Sequence, residues 1–136
     1  MLEAEAPPGE QNMDDITVKR IDEIPAYEGP HALEGIAFRF AGKALGVSAW
    51  GMNIGDIAPN VTRWPEHDHL ADGQEEVYVV LRGSVELVCG EQRTQLAAGA
   101  MARVPAHVRR TLHAGPEGAR VLAIGGTPGK AYVSQF

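Results

Sequence analysis

In Glu75-Glu76-Val77-Tyr78-Val79-Val80-Leu81-Arg82-Gly83, and in Ser84-Val85-Glu86-Leu87-Val88-Cys89-Gly90 directly after it, short β-forming apolar runs each stop at a glycine. Runs of this length, rich in β-branched and aromatic residues and bounded by turn formers, read as strands. The punctuation continues downstream. Thr94-Gln95-Leu96 stops at Gly99, Met101-Ala102-Arg103-Val104 at Pro105, and Val121-Leu122-Ala123-Ile124 at Gly125-Gly126. No amphipathic run long enough for a crossover helix separates these segments, which excludes parallel βαβ architecture and predicts an all-β sandwich or barrel of antiparallel strands.

Working back towards the N-terminus, Ile16-Thr17-Val18, residues 36–40 and residues 45–54 read as further short strands, with a single helical turn at residues 31–35. Residues 1–15 hold Pro7, Pro8, Gly9 and five acids with no apolar periodicity, the composition of a disordered or loosely docked tail. The remainder, 16–136, is a single domain. At 136 residues the chain buries enough surface to fold without a metal or disulfide, and Cys89, its one cysteine, allows no internal disulfide. A reducing, cytoplasmic location is expected. There is neither a signal-peptide pattern nor an apolar stretch of membrane-spanning length, and the net charge of −6 argues against nucleic acid as a partner. Most of that charge sits in residues 1–26, where seven acids face only Lys19 and Arg20.

The chemistry-bearing stretch is Trp64-Pro65-Glu66-His67-Asp68-His69, upstream of Glu76. Residues two apart on a strand share a face, so His67 and His69 project side by side, and Glu76 at the start of the next strand can converge on them. Two imidazoles and a carboxylate bind a first-row divalent metal while leaving coordination positions open for water or a ligand. Tyr78 and Val80 are in phase with Glu76, Tyr78 as a possible hydroxyl contact for a ligand and Val80 as core. Trp50, Met52 and Met101 read mainly as core filling that could wall a pocket. Cys89 alternates with Val85 and Leu87 and reads as an inert core thiol.

These residues resemble the cupin family, whose first motif runs G-x5-H-x-H-x3 or 4-E-x6-G. His67-x-His69 fits, as does Glu76 with Gly83, although six residues instead of three or four separate His69 from Glu76, and Val61 stands where the motif has glycine. The second motif, G-x5-P-x-G-x2-H-x3-N, is matched at Gly99 and Pro105. His107, Arg110 and Ala114 then replace its glycine, its metal-binding histidine and its asparagine. The resemblance covers about residues 45–126. It implies a jelly-roll barrel, the double-stranded β-helix, with a divalent metal such as Mn, Fe, Ni or Zn on His67, His69 and Glu76. It implies also a small-molecule ligand and a homodimer. The family hosts oxygenases, isomerases, lyases and ligand sensors, so the fold alone does not decide whether this chain is an enzyme.

Arg110 at the fourth-ligand position conflicts with a metal, because a guanidinium about 5 Å from a divalent cation is repelled by roughly 6 to 7 kcal/mol at an effective dielectric near 20. Three resolutions are open. Arg110 can direct its charge to the barrel mouth and clamp a small anionic ligand beside the metal. It can instead fork onto Glu76 in a metal-free network serving a ligand-binding or structural module. Alternatively His107, a better candidate than His113, can supply a replacement ligand.

Overall fold

Residues 15–134 are described by a computed structural model. Six strands make one antiparallel sheet: β1 (Ile36–Arg39), β2 (Gly51–Ile57), β3 (Glu75–Cys89), β4 (Gln92–Ala97), β5 (Met101–Val104) and β6 (Thr111–Gly126). Their order is β1-β2-β6-β3-β4, and β5 pairs with the first half of β3 while β4 pairs with its second half. The long β3 and β6 lie side by side through the middle of the molecule. The helix α1 (Ala41–Leu45) links β1 to β2 and ends at Gly46, whose left-handed backbone closes it. No helix among the described residues is long and apolar enough to cross a membrane.

Gly83 is not the strand terminus that the sequence predicts. β3 runs through it, with register shifts between Val80 and Arg82 and between Gly83 and Val85. Gly83 takes φ 73°, and a Cβ there would collide with the carbonyl oxygen of Gly118 on β6. The glycine therefore makes a bulge that bends the strand and shifts its inward face by one residue. Tyr78 and Val80 before the bulge and Val85 and Leu87 after it consequently face the same core, along with Leu112, Ala114 and Val121 of β6. The first half of β6, with Gly115, Pro116 and Gly118, carries too little apolar signal to be read as a strand from sequence; its residues 111–114 pair with β3, residues 115–118 do not, and the pairing resumes at Ala119.

Upstream, three expectations are corrected. Ile16 and Val18 are exposed and form no strand, because no sheet edge receives them. Residues 31–35 form turns, not helix, while the segment 45–54 contains the end of α1 and becomes strand only at Gly51. The N-terminal segment is tied to the sheet by ions. Arg120 of β6 donates from Nε to Asp56 Oδ1 at 2.6 Å and from Nη2 to Asp22 at 2.7 Å, and Arg39 donates to Asp56 at 2.9 Å. Arg120 is thereby neutralised, and Arg110 on the neighbouring segment is buried. The acidic segment 1–15 lies, but for Asp15, outside the described residues.

Candidate metal centre

The segment carrying the histidines is held extended from both ends. Thr111 donates its hydroxyl to Trp64 O at 2.7 Å, and the Trp64 ring packs where any side chain on Gly55 would stand. His67 and Arg110 then exchange both backbone hydrogen bonds, at 3.1 and 2.9 Å, and His69 N–H donates to Ala106 O at 2.8 Å. Extended backbone alternates its side chains, so His67 and His69 face inward. Asp68 turns the other way, 3.8 Å from Arg109. Glu76 enters from the start of β3, and Glu75 beside it is exposed.

Glu76 Oε1 lies 3.6 Å from Nε2 of His67 and 3.6 Å from Nε2 of His69, and the three ligand atoms all fall within 4.8 Å of one another. Each imidazole has its other nitrogen occupied. His67 Nδ1 meets Pro65 O at 2.9 Å and His69 Nδ1 meets Asp72 Oδ1 at 3.1 Å. Acceptors at Nδ1 fix the tautomer that carries its proton there, so both Nε2 lone pairs face the carboxylate. His69 Nε2 is buried with no hydrogen-bond partner. Lone pairs aimed at a carboxylate repel it unless a cation or a proton lies between, and two donors about 2.1 Å from one ion stand about 3.4 Å apart at a tetrahedral angle. The donor set fits a divalent metal.

The titration tendencies agree with a site built to hold positive charge. The facing carboxylate of Glu76 raises His67 above the usual imidazole value, against the opposing effect of burial. Burial alone would push Glu76 up, but His67, the Tyr78 hydroxyl and the charge of His69 together hold it low. Tyr78 is fully buried and donates its hydroxyl to Glu76 Oε1 at 2.7 Å. Burial and the neighbouring carboxylate keep that proton in place, so the hydroxyl orients the Glu76 carboxylate.

Arg110 takes neither of its two expected positions. Its side chain is 0% exposed, and its terminal nitrogens donate to His67 O, Val104 O and Pro105 O at 3.3–3.4 Å. It therefore does not reach the barrel mouth as an anion clamp. It does not fork onto Glu76 either, because only Nε approaches, at 3.9 Å and without a hydrogen bond. Three carbonyl dipoles and one carboxylate share its charge. His107 is exposed on the turn after β5 and stands outside the group of three ligands, and His113 faces Glu86 at 3.8 Å. Met101 is 71% exposed and does not line the cavity above the triad, whereas Trp50 and Met52 do.

Asp72 was not singled out by sequence reasoning. The six residues between His69 and Glu76 make a turn, closed by Gly73 N–H on His69 O at 2.7 Å, that carries the Asp72 carboxylate back to the His69 ring. Asp72 also accepts from the amide of Gln74 at 2.9 Å. Burial opposes its ionisation, but these bonds and the His69 ring hold its pKa low. The Asp-Gly pair three residues after a histidine was the available signal.

A family model for the cupin domain matches residues 54–125, more than half of the chain. The protein is a cupin. Solved structures with this fold include a sugar phosphate isomerase of the cupin superfamily from Silicibacter pomeroyi, at TM-score 0.67 and 22% identity, covering 86% of this chain and 81% of that one. The TT1209 protein of Thermus thermophilus gives TM-score 0.62 at 23% identity, covering 82% and 98%. KdgF from Halomonas sp. gives TM-score 0.59 at 13% identity, covering 73% and 84%. At these identities the likeness concerns the fold. Comparison with curated proteins gives no match.

Proposed function

We infer that this cupin holds a divalent transition metal on His67, His69 and Glu76 and uses it to bind a small molecule in the cavity above. The observation that carries this reading is the buried, unpartnered Nε2 of His69, which shares Glu76 Oε1 with His67. A bound metal would supply Lewis acidity at open coordination positions. The chain's own groups do the rest. Pro65 O and Asp72 orient the two rings, the Tyr78 hydroxyl fixes the carboxylate, and Trp64 with Phe38 excludes water from one side of the site.

A metal-free reading has one observation in its favour, the approach of Arg110 Nε to Glu76 at 3.9 Å. Elemental analysis of the purified chain, followed by titration with Mn(II), Fe(II), Ni(II) and Zn(II), separates the two. One metal per chain, lost in His69→Ala and with the fold retained by circular dichroism, is expected. A folded chain that takes up none of the four ions would replace the metal reading by the metal-free one.

A further inference from the structure

A cavity of about 530 Å³ opens above the triad, within the roughly 300–1,000 Å³ common to small-molecule sites. Its walls are not those of a phosphate site. A chain of rings leads inward from the N-terminal segment: Tyr27 to Phe40 at 5.8 Å, Phe40 to Phe38 at 5.3 Å, Phe38 to Trp64 at 6.0 Å, and Trp64 to Tyr78 at 6.5 Å between centroids. Each successive pair is edge-on or tilted, the arrangement that aromatic quadrupoles favour and that another ring can join. The chain ends at the Tyr78 hydroxyl on Glu76, so the apolar wall descends to the metal-ligating carboxylate.

Permanent positive charge is nearly missing from this wall. Lys43 is the sole lysine or arginine among the lining residues, and α1, the nearby helix, has only five residues. Arg110, the cation that could have met an anion, directs its donors to backbone carbonyls. A phosphate monoester carries about two charges and is bound by arginine forks, several lysines or the N-terminus of a longer helix. Neutral hydrogen-bonding groups such as Asn53 and Gln74 also line the cavity, but they supply no charge to offset a phosphate brought in from water.

We propose that the cavity selects an aromatic small molecule whose head is a pair of adjacent oxygens reaching the floor of the site, and that it discriminates against sugar phosphates. The two-oxygen head rests on the metal reading given above, in which three protein donors leave neighbouring coordination positions open, whereas the aromatic body rests on the walls alone. Both tryptophans of the chain, Trp50 and Trp64, line the cavity, so occupancy is read from intrinsic fluorescence as well as by calorimetry.

The probes are 4-tert-butylcatechol, 4-tert-butylphenol and fructose 6-phosphate, each titrated into the full chain with and without Zn(II). The catechol is expected to bind at least tenfold more tightly than fructose 6-phosphate, to quench the tryptophans, and to weaken at least fivefold in Trp50→Ala. Zn(II) should strengthen the catechol over the phenol by at least tenfold. If catechol and phenol bind equally whether or not Zn(II) is present, while both still exceed the sugar phosphate, the metal-held head is refuted and the aromatic specificity stands. Fructose 6-phosphate binding as tightly as the catechol, or failure of both aromatic probes to bind, overturns the proposal.

Discussion

Replacing Arg110 separates charge from coordination at the metal centre. Its Nε lies 3.9 Å from Glu76 Oε1, which at an effective dielectric near 20 corresponds to an attraction of about 4 kcal/mol. Part of this is already offset, because three backbone carbonyls share the guanidinium. A metal arriving at Glu76 competes with that attraction and meets the guanidinium as a like charge. Arg110→Met removes the charge without adding a donor, and it should tighten metal binding by about tenfold, or 1.4 kcal/mol, the share that survives carbonyl screening. Arg110→His adds an imidazole where the family motif carries one and should tighten binding further, by at least another tenfold. Both variants lose stability without metal. Breaking a buried charged cluster costs about 3 to 5 kcal/mol, and the length of the carbonyl bonds, 3.3–3.4 Å, favours the lower figure. Competition with a chelating indicator gives the affinities. Thermal unfolding gives the cost, and the visible spectrum of the Co(II) form reports the added ligand. If both variants stay folded and bind Zn(II) or Co(II) no more tightly than the parent chain, the electrostatic account of Arg110 is wrong.

The Asp72 carboxylate orients His69 without touching a ligand, so Asp72→Ala should weaken metal binding by about 10- to 100-fold while moving the unfolding temperature by only a few degrees; calorimetric metal titration and a thermal melt check this. Protons compete with metal at His67, whose pKa is raised chiefly by Glu76, so metal release should begin above the ordinary imidazole value near 6.5 as pH falls. Without metal the sign reverses. The His67–Glu76 pair stabilises the fold fully below the unfolded imidazole pKa and is lost as pH rises through the folded one, so metal-free and metal-loaded melts should diverge as pH rises above the ordinary imidazole value near 6.5. On the outer face of the sheet, burial opposes ionisation of Asp56, but Arg120 and Arg39 together hold its pKa low. Its stabilisation is present above about pH 3.8 and disappears as pH falls through the lower folded value. Arg120→Ala should cost about 2 to 3 kcal/mol at neutral pH, discounted from a fully buried pair because Asp56 is partly exposed, and urea unfolding at pH 7 and pH 3 should show the deficit shrinking in acid.

Alternation and turn residues carried most of the β architecture into view, because β3 and the second half of β6 alternate buried with more exposed residues and most strands end near a glycine or proline. They mislead where a glycine does something other than stop a strand. Gly83 supplies a positive φ and a close backbone approach inside β3, and the inward parity changes from Tyr78 and Val80 to Val85 and Leu87 across it. A glycine followed at once by a second alternating run, shifted by one residue, is how such a bend is written. The Ala41–Leu45 helix was missed because five residues are too few for periodicity, although Gly46 after it is an ordinary helix-ending signal.

The candidate metal ligands could be named in advance because their recognition depends on spacing along extended backbone, which is local. What surrounds them depends on contacts between distant segments. Phe38 meets Trp64 across twenty-six residues, and Arg110 meets the carbonyl of His67 across forty-three. The substitution of arginine for a histidine reads in sequence as an insertion of charge into a metal site, with either the metal or the arginine obliged to yield. The fold resolves it by geometry. The turn at Pro105 offers its own carbonyl and that of Val104 at the distance the guanidinium can reach, so the long side chain passes the ligands and ends on the backbone behind them. A shorter cation could not do this. Lysine lacks the planar fork that serves two carbonyls while leaving Nε towards Glu76, and the site therefore requires arginine as a particular shape, in addition to its charge.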